Sequence, residues 1–155
     1  MRKLLIISFA LAVLFGMTGA AAAQGAHTAD QAKTLVQKAA EYLKTEGKDK
    51  ALAVFSDPKG EWVDGDLYLI VLDAADGKLT MLAHGTNKAL IGKPQIDVKD
   101  AEGRAFNQET AAALSKANDT WTTYAWPNPA TKKIAKKQTF FERVGDVFIG
   151  AGVYN

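Results

Sequence analysis

The sequence predicts an α+β fold, an antiparallel sheet with its helices gathered around it rather than alternating with its strands. Three observations predict it. Residues 28–47 carry apolar side chains at helical spacing, from residue 67 the period shortens to that of strands, and the strands are joined by Asp-Gly and Gly-Asp turns that bring the chain straight back. The first strand-like run, Leu67-Tyr68-Leu69-Ile70-Val71-Leu72, is apolar on both faces, so the sheet must be covered on both sides. At 155 residues the chain fits one domain around one sheet.

The N-terminal stretch is set apart from that fold. Arg2 and Lys3 precede an uncharged run from Leu4 to Phe15, and Gly16 to Gly19 lead into the small residues Ala20 to Ala23. Charged, apolar and small segments in that order mark an export signal at residues 1–23, with cleavage expected after Ala23. The apolar run of about a dozen residues is short against the roughly 20 that a membrane-spanning helix needs. The alternative is an uncleaved N-terminal anchor, since no charge occurs between Leu4 and Ala23. Either way the domain, residues 24–155, is expected outside the cytoplasm, in the periplasm or secreted.

The helices come first. Thr28 with Gln31 three residues on is a capping-box arrangement at a helix start. Ala32, Leu35, Val36, Ala39 and Leu43 then form one apolar stripe, and Gly47 stops the helix in a left-handed cap. Lys48 to Phe55 predicts a short second helix, ended by Asp57-Pro58-Lys59-Gly60. In the strand region, Ala74-Ala75-Asp76-Gly77 predicts a hairpin turn, after which Leu79 to His84 returns as the second strand. Asn87 to Lys93 and Phe106 to Lys116 are the candidate covers for the face the long helix leaves open. Trp121 to Trp126, Ile134 to Val144 and Val147 to Tyr154 complete a meander, with Pro127-Asn128-Pro129 as a rigid loop that cannot continue a ladder.

Composition excludes several functions. The absence of cysteine removes disulfides, thiolate metal sites and thiol catalysis together. His27 and His84 are the two histidines, too few for a catalytic transition-metal centre, so no metal or other cofactor is expected. No nucleophile elbow, zinc-protease pair, phosphate loop or dinucleotide fingerprint occurs, so no enzyme activity is expected. Asp64 with Asp66, and Asp97 with Asp100, offer oxygen ligands, but their spacing matches no EF-hand loop. Without Arg2 and Lys3 the chain holds 17 basic and 17 acidic residues. A neutral domain lacks the basic face that nucleic acid requires, and Lys132, Lys133, Lys136 and Lys137 read as a short charged turn or strand edge.

A set of short motifs in fixed order points to a family. Gly65-Asp66-Leu67-Tyr68, Leu72-Asp73, Asp76-Gly77, Leu82-Ala83-His84-Gly85 and Leu90-Ile91-Gly92-Lys93 are followed by Asp100-Ala101-Glu102-Gly103-Arg104. Tyr124-Ala125-Trp126-Pro127-Asn128-Pro129, Lys137-Gln138-Thr139 and Ile149-Gly150-Ala151-Gly152-Val153-Tyr154 complete the series. Together they resemble the single Cache domain, type 2. The resemblance implies a PAS-like five-stranded antiparallel sheet backed by a long N-terminal helix, and an extracytoplasmic sensor module that binds small molecules, often small organic acids. Phe140 departs from it, standing where many relatives carry Tyr. The sequence also ends at Asn155 with no signalling segment after the last strand, so output is expected to pass through a membrane partner.

The candidate site follows from strand alternation read with that resemblance. Tyr68 shares a face with Ile70 and Leu72, Tyr124 with Trp126, and Lys137 with Thr139, while Gln138 and Phe140 take the opposite face. A pocket for a small carboxylate needs one cation, a few neutral donors and apolar walls. Lys137 supplies the cation, Tyr68 and Tyr124 hydroxyl donors, and Trp126 an indole donor with a flat wall. Thr139 and His84 complete the ligand-binding set; His84 reads equally as a structural strand-end residue, and in the pocket its protonation between about pH 5 and 7 would make anion binding pH-dependent. Phe148, Gly150, Gly152 and Tyr154 align on the last strand, and the two glycines imply close approach by a ligand or by the N-terminal helix. Asp66 and Asp73 read as turn residues, and Trp62 and Trp121 as core or lid. The expected function is an exported sensor module for a short organic acid acting through a membrane protein. The alternative is a structural or protein-interaction domain that has lost its pocket, and a homodimer through the N-terminal helix is compatible with both.

Overall fold

The computed structural model describes residues 27–155; the segment 1–23 read as an export signal, and residues 24–26 after it, lie outside the described residues. The Thr28 side chain accepts from the Gln31 amide at 3.3 Å while the Gln31 side chain accepts from the Thr28 amide at 2.7 Å, closing the capping box that starts α1, Ala29–Glu46. Gly47 ends it at φ 85°, a value that costs glycine little, and α2, Lys48–Phe55, begins at the next residue. The buried face of α1 is narrow and built of Ala32, Val36, Ala39 and Ala40. Small side chains there let the helix lie close to the sheet.

The sheet is antiparallel throughout. β2, Leu67–Asp73, β6, Val147–Tyr154, β5, Ile134–Val144, and β4, Asp119–Pro127, stand side by side in that order, and β3, Met81–His84, pairs with β2. Those five strands are the expected set. A sixth, β1, spans only Val63–Asp64 and forms a tight hairpin with the start of β2, Val63 opposite Tyr68 and Asp64 opposite Leu67. Two residues are too few to show a period, which is why the sequence does not reveal it. β3 starts at Met81 rather than Leu79, because the turn runs further: the Asp76 carboxylate accepts from the Lys78 and Thr80 amides, and Leu79 takes φ 51°. Loop backbone bonds to β3 where Met81 donates to Lys93 O at 3.0 Å and Gly92 donates to Met81 O at 2.8 Å. Asp100 covers β4 by accepting from the Ala125 amide at 3.0 Å. Neither strand offers a bare ladder to another chain there.

Alternation along the strands separates two cores. Leu67, Leu69 and Val71 of β2, Phe140 and Val144 of β5, and Val147, Ile149, Ala151 and Val153 of β6 face α1 and α2, where Phe55, Trp62 and Tyr42 pack edge to face. Tyr68, Ile70, Leu72, Phe141, Phe148 and Tyr154 face the other way and meet Leu114 of α3, Phe106–Leu114, with Leu90 and Ile96 of the preceding loop. The segments expected to cover this second face do so, through the 3₁₀ turn Lys88–Leu90 and through α3. Trp62 belongs to the helix-side core, whereas Trp121 is neither core nor lid: it rests on Phe140 at the helix side of the sheet and is 38% exposed.

The strand glycines have a cause different from either expectation. What approaches Gly150 and Gly152 is neither a ligand nor α1 but the side chains of β5. A Cβ on Gly150 would stand 2.5 Å from the Phe141 ring. One on Gly152 would collide with Thr139 Oγ1 and lie 2.8 Å from both Gln138 O and Lys137 Cε. Gly152 therefore provides the space through which the stem of Lys137 passes. Gly152→Ala should lower the unfolding free energy by about 1–3 kcal/mol, read from the denaturant midpoint; a midpoint equal to the parent's would show that the strand is not that crowded.

Candidate functional site

The second face encloses a chamber of about 20 Å³ beneath α3. Ile70, Leu72, Met81, Leu90 and Phe106 form its apolar walls, and Tyr68, His84, Gln95, Asn107, Tyr124, Trp126 and Lys137 bring polar atoms to it. A wider vestibule of about 340 Å³ shares Tyr68, His84, Leu90 and Trp126 with the chamber and is bordered by Thr86, Asn87, Asn128 and the exposed Lys132. Five of the six predicted site residues, Tyr68, His84, Tyr124, Trp126 and Lys137, thus line one cavity. Thr139, fully buried, does not line it; its hydroxyl lies 3.0 Å from Tyr124 Oη and fixes that ring from behind.

Lys137 is 2% exposed and no acidic side chain forms an ion pair with it among the described residues. Its ammonium instead sits 3.9 Å from the centre of the Tyr68 ring and 5.0 Å from that of Tyr154, so two ring faces supply what negative potential it has. None of the residues around the chamber is acidic. The neighbouring lysines Lys132, Lys133 and Lys136 are all exposed; strand alternation and the gap at Gly152 turn Lys137 alone inward.

Tyr68 differs from expectation in its hydrogen bonding. Tyr154 Oη donates to Pro127 O at 3.0 Å, which uses its one proton, so across the 3.2 Å contact between the two phenols Tyr68 is the donor. The Tyr68 hydroxyl is therefore not a free donor. Burial opposes its ionisation, but the charge of the adjacent Lys137 works the other way, and the phenol lies below its usual pKa. Burial pushes Tyr124 the other way, assisted by Tyr68, so Tyr124 stays protonated. Its ring stacks on Phe106 with centroids 4.0 Å apart.

His84 lines the chamber but is not the pH switch it was expected to be there. Its Nδ1 accepts from the Asn87 amide at 3.0 Å and the Thr86 amide at 3.3 Å, which places the proton of the neutral ring on Nε2. Burial, and then the charge of Lys137, bring its pKa down to about 3. It is thus a fixed neutral donor through the physiological range.

A second polar group lies beside the vestibule. His27 Nδ1 is 2.8 Å from Asp66 and Nε2 is 3.2 Å from Asp64, so both ring nitrogens face carboxylates. Asp66 is buried and also accepts from Asn128 Nδ2 at 3.3 Å, while Asn128 Oδ1 accepts from the Ala130 and Thr131 amides and closes the Pro127–Lys133 loop. Asp66 is more than a turn residue, because it ties that loop to the start of α1. Asp73 is the turn residue expected, accepting from the Ala75 amide at 2.9 Å. Asp64 and Asp66 are occupied by His27, and no cluster of metal-ligating side chains occurs among the described residues.

Gln95, Asn107, Phe106 and Tyr154 escaped sequence reasoning. Gln95 lies in a loop and Asn107 and Phe106 on a short helix, where no strand period reports which way a side chain turns; Tyr154 shared a face with Gly150 and Gly152, a signal that could have placed it. Phe140, the residue that departs from the family pattern, is on the helix side of the sheet and does not touch the chamber.

Residues 10–155 match the family described as Single Cache domain 2. Solved structures with the same fold include a methyl-accepting chemotaxis protein from Vibrio parahaemolyticus RIMD 2210633, at 20% identity and TM-score 0.68 over 81% of this chain and 86% of that one. Another, described as the structural basis for carboxylic acid recognition by a Cache chemosensory domain, is 23% identical with TM-score 0.66, covering 81% and 91%. A periplasmic sensor domain of a chemotaxis protein is 22% identical with TM-score 0.61, covering 81% and 88%. No match is found among curated proteins.

The two histidines should separate cleanly by NMR titration. Burial works against charge on His27, but the hydrogen bonds and charges of Asp66 and Asp64 outweigh it and raise its pKa above 6.5. Its midpoint should lie above that value, while His84 should show no titration between about pH 5 and 8. Because the folded value is raised, the His27 contribution to stability is full below the unfolded pKa and fades as pH rises through the folded one. His27→Ala should remove that alkaline loss; a His84 midpoint near neutrality would refute the assignment.

Proposed function

The chain belongs to the Single Cache domain 2 family, and from that premise we propose that it is an extracytoplasmic sensor module that captures a short organic acid on Lys137 and acts through a membrane protein. The observation that carries this reading is the buried Lys137 ammonium with no acidic partner beside it. A buried charge is costly when unpaired and strongly attractive to a counter-ion that fits. His84 Nε2–H and the Trp126 indole would meet the remaining lone pairs of a carboxylate, and Ile70, Leu72 and Met81 would pack around its carbon end. The small chamber favours short acids over rings or long chains.

The carboxylic acid recognition described for a structure of the same fold agrees with this reading. Export through residues 1–23 would place the domain where such acids arrive, and no helix among the described residues is long and apolar enough to cross a membrane. The module is read as a receptor part rather than an enzyme, in keeping with its family. The alternative of a domain with a lost pocket drew on Phe140, which faces α1 and leaves the chamber intact.

Thermal-shift and calorimetric titration with acetate, propionate and pyruvate tests the reading. At roughly 100 times Kd a bound acid adds about 2.7 kcal/mol to the stability of the fold. Lys137→Met should abolish that gain and, by removing an uncompensated buried charge, leave the ligand-free domain at least as stable as the parent. Acid binding that survives in Lys137→Met would contradict the proposal, as would the absence of any response in the parent.

A further inference from the structure

The chamber is not uniformly a donor site. Gln95 and Asn107 are 3% and 4% exposed, both line it, and in each one N–H of the amide is committed to a backbone carbonyl. Asn107 Nδ2 donates to Gln95 O at 2.8 Å and Gln95 Nε2 donates to Lys93 O at 3.0 Å. A carbonyl can only accept, so these bonds fix the orientation of both amides and leave Asn107 Oδ1 and Gln95 Oε1 as acceptors. Neither oxygen has a hydrogen-bond partner among the described residues. The chamber therefore presents a cation and neutral donors from Lys137, His84 and Trp126, and two fixed acceptors from Gln95 and Asn107.

A carboxylate alone has no proton to give to those acceptors. We propose that the preferred guest is a short hydroxy-carboxylate, whose acid group meets Lys137 and whose hydroxyl donates to the amide oxygens of Asn107 and Gln95. The inference rests on the sensor reading above and adds to it which acids are selected. A hydroxyl suits the site better than an ammonium. No acidic residue lines the chamber, so an amino acid would bring a second cation close to Lys137 with no anion beyond its own carboxylate to offset it. Glycolate and lactate are the smallest acids with the required pair of groups.

Calorimetric titration of the intact protein with matched pairs, glycolate against acetate and lactate against propionate, and with alanine, tests it. Each hydroxy acid should bind roughly tenfold or more tighter than its partner lacking the hydroxyl, because the latter offers the two amide oxygens no donor. Alanine should bind more weakly than lactate. Asn107→Leu and, separately, Gln95→Leu should weaken binding of each hydroxy acid more than that of its partner lacking the hydroxyl, so that the preference shrinks. Equal affinities within each pair in the parent would overturn this inference alone and leave the sensor reading standing, and that comparison needs no variant to fold. Alanine binding as tightly as lactate would also overturn it, and binding of none of these acids would overturn both readings together.

Discussion

An ammonium group held inside the protein with no acidic partner is the constraint on which the rest of the structure turns. Removing such a charge from water costs several kcal/mol unless something nearby compensates. The fold compensates in part: the faces of Tyr68 and Tyr154 lie against Lys137, and hydrogen bonds from Tyr68 to Tyr154 and from Tyr154 to Pro127 O hold the two rings in place. Gly152 is part of the same arrangement, since any side chain there would occupy the path of the lysine stem. What remains uncompensated is attraction for an anion small enough to enter.

The surroundings of that charge are rigid for identifiable reasons. Thr139 and Phe106 hold Tyr124 between a hydrogen bond and a stacked ring, and the amides of Thr86 and Asn87 hold His84 in one tautomer. Asn128 holds the loop at the mouth and hands its remaining hydrogen bonds to Asp66, which His27 anchors to the start of α1. Polar contacts thus run from Tyr68 through Tyr154 to Pro127 and, from the adjoining Asn128, through Asp66 to His27 just before the long helix. Preorganisation of this kind lowers the entropy lost on capturing a guest.

Much of this was legible in the sequence because it rests on periods. The 3.6-residue stripe reveals α1, and the two-residue alternation pairs Tyr124 with Trp126, Lys137 with Thr139, and Tyr68 with Ile70 and Leu72, each set on its own strand. Their convergence was harder to see, because it depends on register: Lys137 opposite Tyr124 and Tyr154 is set by ladders across β4, β5 and β6, not by any local pattern. The acceptor side of the chamber was hidden for a different reason. Gln95 sits in an irregular loop and Asn107 on a nine-residue helix, and only tertiary hydrogen bonds determine where their amides turn. His84 shows the limit of residue type as a guide, since burial beside a cation removes the titration that a histidine ordinarily offers near neutral pH.

A crystal structure of the domain grown with lactate tests the central claim most directly. The account predicts guest density inside the chamber with a carboxylate oxygen about 2.7–2.9 Å from Lys137 Nζ, the length of a charge-assisted hydrogen bond. Density confined to the vestibule beside Lys132, or a Lys137 ammonium turned out into solvent with the chamber closed by side chains, would contradict it.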